Sequence, residues 1–308
     1  MELSKSGIPG FEKVRALCRC VRLFWMLLVK GGRVFMRKIQ LSIDEIKARE
    51  FSILTEFDTF CINNKLTYFL CGGTLLGCIR HKGFIPWDDD IDVFMPRADY
   101  EKFFAITSQT PIKENLITRT YRAPRNRIPY PFIKLIDSST EVVEQGKATK
   151  KKNGIWIDVL PIDVLPQDDA ENEQIYYTMH ALRKKLFFAL TEISLANSKN
   201  VFTYLAKKVK QCFAKRRIYS LCRQMDMLSQ SFNKQDTGFQ GCLLWGLYGK
   251  GERCKSNIFT VTKGVFENRE FSIPAGYDSY LRGIYGNYME LPPMEKRVSH
   301  SITAYKLI

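Results

Sequence analysis

The stretch GFIPWDDDIDVFMPR, residues 83–97, sets four carboxylates in five positions, Asp88, Asp89, Asp90 and Asp92, directly against an apolar run. A buried ion needs a partner, so this stretch must bring cations or a metal to the edge of a hydrophobic element. In a strand, residues two apart share a side, which projects Asp90 and Asp92 of DID together. Two adjacent ionised carboxylates repel, and a divalent cation between them removes the repulsion. Oxygen ligands of this kind favour Mg²⁺ or Mn²⁺ over zinc. IDVFM therefore predicts a strand ending at Pro96, with Asp90 and Asp92 as metal ligands. After it, ADYEKFFAIT predicts a helix with proline in its first turn.

A third carboxylate would complete such a site, and Asp158 in WIDVL is the candidate, because an aspartate inside an apolar strand is costly to bury alone. Asp163, in PID, ranks second, since Pro161 predicts that the strand has ended. Upstream, LTYFLC (66–71) reads as a short buried strand, Gly72–Gly73–Thr74 as a turn, and TLLGCIR as the opening of a helix. Free backbone N–H groups at such a turn suit a phosphate. Arg80, His81 and Lys134 supply cations for anionic groups that a metal does not neutralise.

Ser42 and Glu45 have capping-box spacing, and Ile46, Phe51, Ile53, Leu54 and Phe57 then recur at helical spacing as far as Asn63 and Asn64. YPFIKLID (130–137) and GIWIDVLPID (154–163) are further strands, separated by an exposed loop around KATKKKNG. From Asp168 to Phe232 the pattern is helical, in two long segments separated near Asn197 to Asn200. The second holds KKVKQCFAKRR, a basic face that is either solvated or meets phosphates or lipid headgroups. GCLLWGLYG, SNIFTV and REFSIP read as short strands, and SYLRGIYG as a helix.

A formal charge of +15 points to an anionic partner. The nine cysteines show no metal-site spacing and read as free thiols in a reducing compartment. VRALCRCVRLFWMLLVKGGRVFMRK, near the N-terminus, mixes cations with large apolar residues, yet its longest apolar run, LFWMLLV, is too short to span a bilayer. It fits an amphipathic helix on an anionic leaflet, or equally a helix docked on the protein's own core.

GTLLGCIRHKGFIPWDDDIDVFMPRADYEKF closely resembles the signature of the LicD proteins, phosphocholine transferases related to fukutin that look like members of the nucleotidyltransferase-fold superfamily. The resemblance extends to LTYFLCGG, FIKLIDSST, GIWIDVLPID and YLRGIYGNYMELPPMEKRVSH. It implies an α+β fold, a nucleotidyltransferase-like mixed β-sheet core flanked by helices with an added helical region. Gly72, Gly73 and Thr74 match the glycine turn, Asp90 and Asp92 the metal-binding pair, and Asp158 the third carboxylate. The insertion IRHKGFIPW departs from the simplest nucleotidyltransferases. The expected organisation is a basic segment at 1–40, a catalytic core at 41–166, a helical insertion at 167–235 and a C-terminal part of the catalytic domain at 236–308.

The implied reaction moves phosphocholine from CDP-choline to a hydroxyl of a cell-surface glycan or glycolipid precursor, such as lipopolysaccharide or teichoic acid, with CMP released. Asp90, Asp92 and Asp158 would hold Mg²⁺ or Mn²⁺, and Asp158, or else Asp88 or Asp89, would accept the proton of the attacking hydroxyl. Trp87, Tyr68 and Tyr130 are candidates to face the quaternary ammonium, and Tyr285, Arg297 and His300 to close the site. Another CDP-activated alcohol, glycerol or ribitol, or nucleotidyl transfer, would use a similar metal site. A nucleic-acid-binding protein fits the net charge but not the concentrated carboxylates. The expected place of work is the cytoplasm, peripheral on the inner face of the cytoplasmic membrane.

Overall fold

The structure is a computed structural model in which residues 37–123, 127–144, 146, 153–196, 198–246, 252–297 and 302–308 are described. The expected N-terminal amphipathic segment lies outside them up to residue 36, as do residues 147–152, where an exposed loop is expected, and His300. The chain divides into two units, residues 1–38 with 307–308, and residues 39–306. The second unit carries the site.

After β1 (Lys38–Gln40), the capping box forms as its spacing requires: Glu45 N–H donates to Ser42 Oγ at 3.2 Å and Ser42 N–H to Glu45 Oε2 at 2.8 Å. The helix it opens, α1 (Ile43–Asn63), buries Ile46, Ile53, Leu54 and Phe57 on one stripe, and Glu50 with them. β2 (Phe69–Leu70) leads through Cys71 into α2 (Gly72–Arg80). β3 (Asp92–Pro96) leads into α3 (Arg97–Thr107), with Pro96 as the residue before the first turn.

β4 (Leu116–Arg119), β5 (Ile133–Asp137), β6 (Thr140–Glu144) and the long β7 (Trp156–Val164) follow. Pro161 does not end β7, contrary to expectation. The antiparallel partner β5 stops at the Ile133↔Val159 pair, and β8 (Phe239–Gly241) takes over only at Asp163. The missing N–H of Pro161 falls in the gap between them, where no ladder bond is lost.

The main sheet has the order β2-β3-β7-β5-β4, parallel only between β3 and β7, with β8 and then β9 (Cys254–Lys255) added at the end of β7. This is the mixed sheet flanked by helices that an α+β reading requires. The parallel register sets Asp92 beside Asp158, and the antiparallel one sets Lys134 beside Asp158. β12 (Ile302–Leu307) pairs antiparallel with β6 over Ile302↔Glu144 to Lys306↔Thr140.

The helical region is α4 (Asp169–Leu190), α5 (Val201–Arg216) and α6 (Ile218–Ser229). It is therefore three helices rather than two, because α5 stops at Arg217 before the chain resumes as α6. Arg97 ties it to the sheet: its guanidinium donates to Asp163 at 2.8 and 2.6 Å, to Asp226 of α6 at 2.9 Å and to Ser229 at 3.0 Å. Asp163 is thereby a structural carboxylate.

SNIFTV and REFSIP resolve into a one-turn 3₁₀ segment, Ser256–Ile258, and the hairpin β10 (Val261–Phe266) and β11 (Arg269–Pro274), before α7 (Tyr277–Tyr285). The hairpin's two loop residues, Glu267 and Asn268, both have positive φ, the geometry that matches strand twist in a two-residue turn.

Candidate active site

The glycine turn and the acidic run meet across the β2–α2 and β3 junctions. Thr74 Oγ accepts the Asp92 N–H at 2.9 Å, which pins the start of β3 to the first turn of α2. Thr74 is buried. Gly72 has φ +53°, a left-handed conformation that favours glycine, and its N–H donates to the Tyr280 hydroxyl of α7 at 3.3 Å. Gly73 is needed for a different reason: a Cβ there would stand 2.5 Å from Asp88 Oδ2.

The insertion IRHKGFIPW is what places Asp88. Lys82 turns the chain with φ +62°, the Phe84 N–H donates to the Glu267 carboxylate at 3.1 Å, and the Glu267 N–H donates to the Lys82 carbonyl at 2.9 Å. The β10–β11 hairpin tip thus clamps the loop. The Asp88 N–H then closes a turn onto the Ile85 carbonyl at 2.9 Å.

Asp88, Asp90, Asp92 and Asp158 line one cavity of about 290 Å³, with Gly72 and Gly73. Phe94, Trp245, Tyr280, Tyr285 and Glu252 line the same cavity. A second, more open cavity of about 580 Å³ shares Gly73, Asp88 and Tyr285 with the first, and adds Arg80, Trp87, Asn287 and Tyr288.

Burial pushes the Asp92 carboxyl well above the usual carboxylate range, and Asp90 and Asp158 push it further, while Lys134 opposes them. Glu50, on the buried stripe of α1, is raised well above that range too, first by burial and then by Asp90, Asp89, Asp88 and Asp158. Its Oε2 is buried without a hydrogen-bond partner among the described residues. The cavity thiols Cys71 and Cys242 are also held protonated by burial, which disfavours a cysteine nucleophile.

The remaining expected residues have other partners. Lys134 Nζ contacts both oxygens of Asp158, at 2.7 and 3.0 Å, and sits 4.1 Å from the Trp156 ring centroid and 4.9 Å from that of Tyr130. It is buried as a cation for Asp158 and is not among the residues that line the cavity. Arg80 donates to the Tyr288 and Glu290 carbonyls at 2.6 and 3.1 Å, so it braces the C-terminal wall of the second cavity. His81 lines neither cavity; its ring lies edge-on to Trp87 at 6.2 Å. Trp87 carries the Arg297 guanidinium 4.9 Å from its centroid, and Arg297 Nε donates to the Pro292 carbonyl at 2.9 Å. Asp89 is buried in the loop. Tyr68 is core, its hydroxyl donating to Asp58 at 2.6 Å.

Sequence reasoning missed Trp245, Tyr280, Glu252 and Glu50. Trp245 is held by α4: buried Arg183 donates to the Gly246 carbonyl at 2.7 Å, and the indole packs edge-on to Phe132 at 4.8 Å and Phe187 at 5.4 Å. Among the described residues, no group of three or more His, Cys, Asp or Glu is arranged to hold a metal ion.

Residues 65–201 match the family described as LicD/FKTN/FKRP, nucleotidyltransferase domain. Over 278 residues the chain is 29% identical to the lipopolysaccharide cholinephosphotransferase LicD of Haemophilus influenzae, covering 87% of this chain and 98% of that protein. Shorter stretches are 35% identical to uncharacterized proteins of Rickettsia typhi, over 81 residues, and Rickettsia prowazekii, over 71 residues, each match spanning 24% of the relative. The stretch that matches this family, residues 65–201, holds the glycine turn, the acidic run, Lys134 and Asp158.

Proposed function

We propose that the protein is a transferase that moves phosphocholine from CDP-choline to a hydroxyl of a glycan or lipid-linked glycan, releasing CMP. One observation carries this reading: a single cavity is lined both by Asp88, Asp90, Asp92 and Asp158 and by Trp245, Tyr280, Tyr285 and Glu252. The first set suits a cation-bound diphosphate. The second suits a quaternary ammonium, which aromatic faces and a carboxylate attract. The similarity to a protein named a lipopolysaccharide cholinephosphotransferase supports the same donor class.

The donor set fits Mg²⁺ or Mn²⁺, because Asp90 and Asp92 offer carboxylate oxygens, and Asp90 adds to the burial that raises the Asp92 carboxyl. Asp90 and Asp92 would hold the ion. Mg²⁺ commonly takes one or two carboxylates and completes its shell with water and substrate phosphate, so a two-aspartate site is sufficient. Bound there, it would neutralise the donor's diphosphate and stabilise the departing phosphate.

The protein's own groups do the positioning. Lys134 holds Asp158 in place through both its oxygens. Tyr280 fixes the Gly72 N–H. Asp88 faces both cavities and is therefore placed to accept the proton of a hydroxyl entering through the larger one.

The test is CMP release and phosphocholine transfer with CDP-choline, with and without Mg²⁺ or Mn²⁺. Asp90→Asn and Asp92→Asn should each lower turnover at least about 100-fold; variants as active as wild type would overturn the site. A parallel panel of CDP-glycerol and CDP-ribitol decides the head group, since preference for either would replace choline in the reading.

A further inference from the structure

Helix α5 is mounted with its polar side inward. Its buried side chain is Gln211, whose Nε2 donates to the Phe188 and Thr191 carbonyls at 3.0 and 2.6 Å. Its large apolar residues face solvent: Phe202 is 83% exposed, Val209 60% and Phe213 62%, with Val201 and Leu205 exposed beside them. At about 100° per residue these five fall within an arc of roughly 120°, with Gln211 on the far side. Single exposed hydrophobics are ordinary, but a continuous stripe on one helix is not.

The charge around the stripe is of one sign. Between Glu192 and Asp226 the chain has no acidic residue and eight lysines and arginines, five of them in α5 itself. Lys208 and Lys210 border the two edges of the apolar arc by the same helical geometry. We propose that α5 is a membrane-docking helix that lies in the interface of an anionic lipid bilayer, with Phe202, Leu205, Val209 and Phe213 inserted and the flanking lysines at the headgroups. Long basic side chains bordering an apolar face suit this arrangement, since their stems cover apolar surface while the ammonium stays wet. A second copy meeting this face symmetrically would bring the two cationic borders together. A nucleic acid would leave the stripe in water. No helix among the described residues is long and apolar enough to cross a membrane, so contact through α5 is peripheral.

The test is flotation of the full chain with vesicles of phosphatidylcholine alone and of phosphatidylcholine with phosphatidylglycerol in equal parts, read alongside hydrogen exchange. The protein should float with the anionic vesicles, and amides of residues 201–216 should gain protection only there. The variant Phe202→Ser/Leu205→Ser/Phe213→Ser should reduce the partition constant at least about 100-fold, and Lys208→Glu/Lys210→Glu at least about tenfold. Both should melt at the wild-type temperature, because the altered side chains are largely solvent-facing. The proposal is overturned if the triple variant floats like wild type or if protection appears only outside α5. It is equally overturned if light scattering shows the stripe closing a dimer that ignores vesicles.

Discussion

Replacing Gly73 with alanine separates the stability of the α2 N-terminus from the position of Asp88. Gly73 does not have positive φ, so its backbone accepts an L side chain, and alanine in a helix is favoured over glycine by up to about 1 kcal/mol. The added Cβ would nevertheless lie 2.5 Å from Asp88 Oδ2, and the carboxylate must retreat by about 0.9 Å to regain ordinary contact near 3.4 Å. A displacement of about 1 Å in a reacting constellation costs about 100-fold in rate, or ~2.7 kcal/mol of barrier. Gly73→Ala should therefore melt at or slightly above the wild-type temperature while kcat with CDP-choline falls about 100-fold. Gly72→Ala is the control: φ is +53° and the new Cβ would meet Asp92 Oδ2 only at 3.6 Å, so the loss should be about 1–2 kcal/mol of stability from the left-handed backbone. Steady-state CMP release and thermal melting of both variants decide the matter. Wild-type kcat in Gly73→Ala, with Asp88→Asn inactive, would refute the argument that this glycine exists to admit the carboxylate.

Trp245→Leu keeps an apolar cavity wall but removes the aromatic face, and should lower kcat/KM for CDP-choline relative to CDP-glycerol about 30-fold, the equivalent of ~2 kcal/mol; an unchanged ratio would remove Trp245 from head-group recognition. Lys134→Met removes the buried ion pair to Asp158 and should destabilise the fold by about 3 kcal/mol in urea unfolding, with Lys134→Met/Asp158→Asn recovering part of the loss. The Glu50 and Asp92 carboxyls are raised in the folded state above their ordinary values of 4.5 and 3.8, so the folded protein binds more protons than the unfolded chain above those values. Without divalent cation, the contribution of these two groups to stability should therefore be greatest below that range and decline as pH rises towards the folded values. Glu50→Gln should flatten the decline, and a pH-independent melting temperature would contradict the assignment.

The elements legible in the sequence were those decided by neighbouring residues. Ser42 with Glu45 specifies its own cap, and Pro96 after IDVFM separates strand from helix by backbone chemistry. The glycine turn was legible as a turn, but the reason for each glycine was not: Gly72 answers to φ, and Gly73 to an aspartate fifteen positions later. Glu50 left a readable signal, because its spacing from Ile46 and Leu54 places a carboxylate on the buried stripe of α1. Trp245, Tyr280 and Glu252 left none. The place of Trp245 and Tyr280 at the cavity goes with contacts to Arg183 and Gly72, both distant in sequence.

Lys134 marks the boundary between the two cases. Every residue of β5 is buried, so a lysine at its centre must have a buried partner. That necessity was available from IKLID alone, but the partner's identity was not, because it depends on strand register. Once β5 lies antiparallel to β7, Lys134 is opposite Asp158; once β3 lies parallel to β7 on the other side, Asp92 is opposite it too. Asp158 thus stands between a fixed internal cation and the acidic run. The lysine holds one carboxylate of the cavity through both its oxygens. The crowding of carboxylates in a chain of net charge +15 is in this way ordered by register: Asp158 lines the cavity together with Asp88, Asp90 and Asp92, and it alone of these four is paired across the sheet with Lys134.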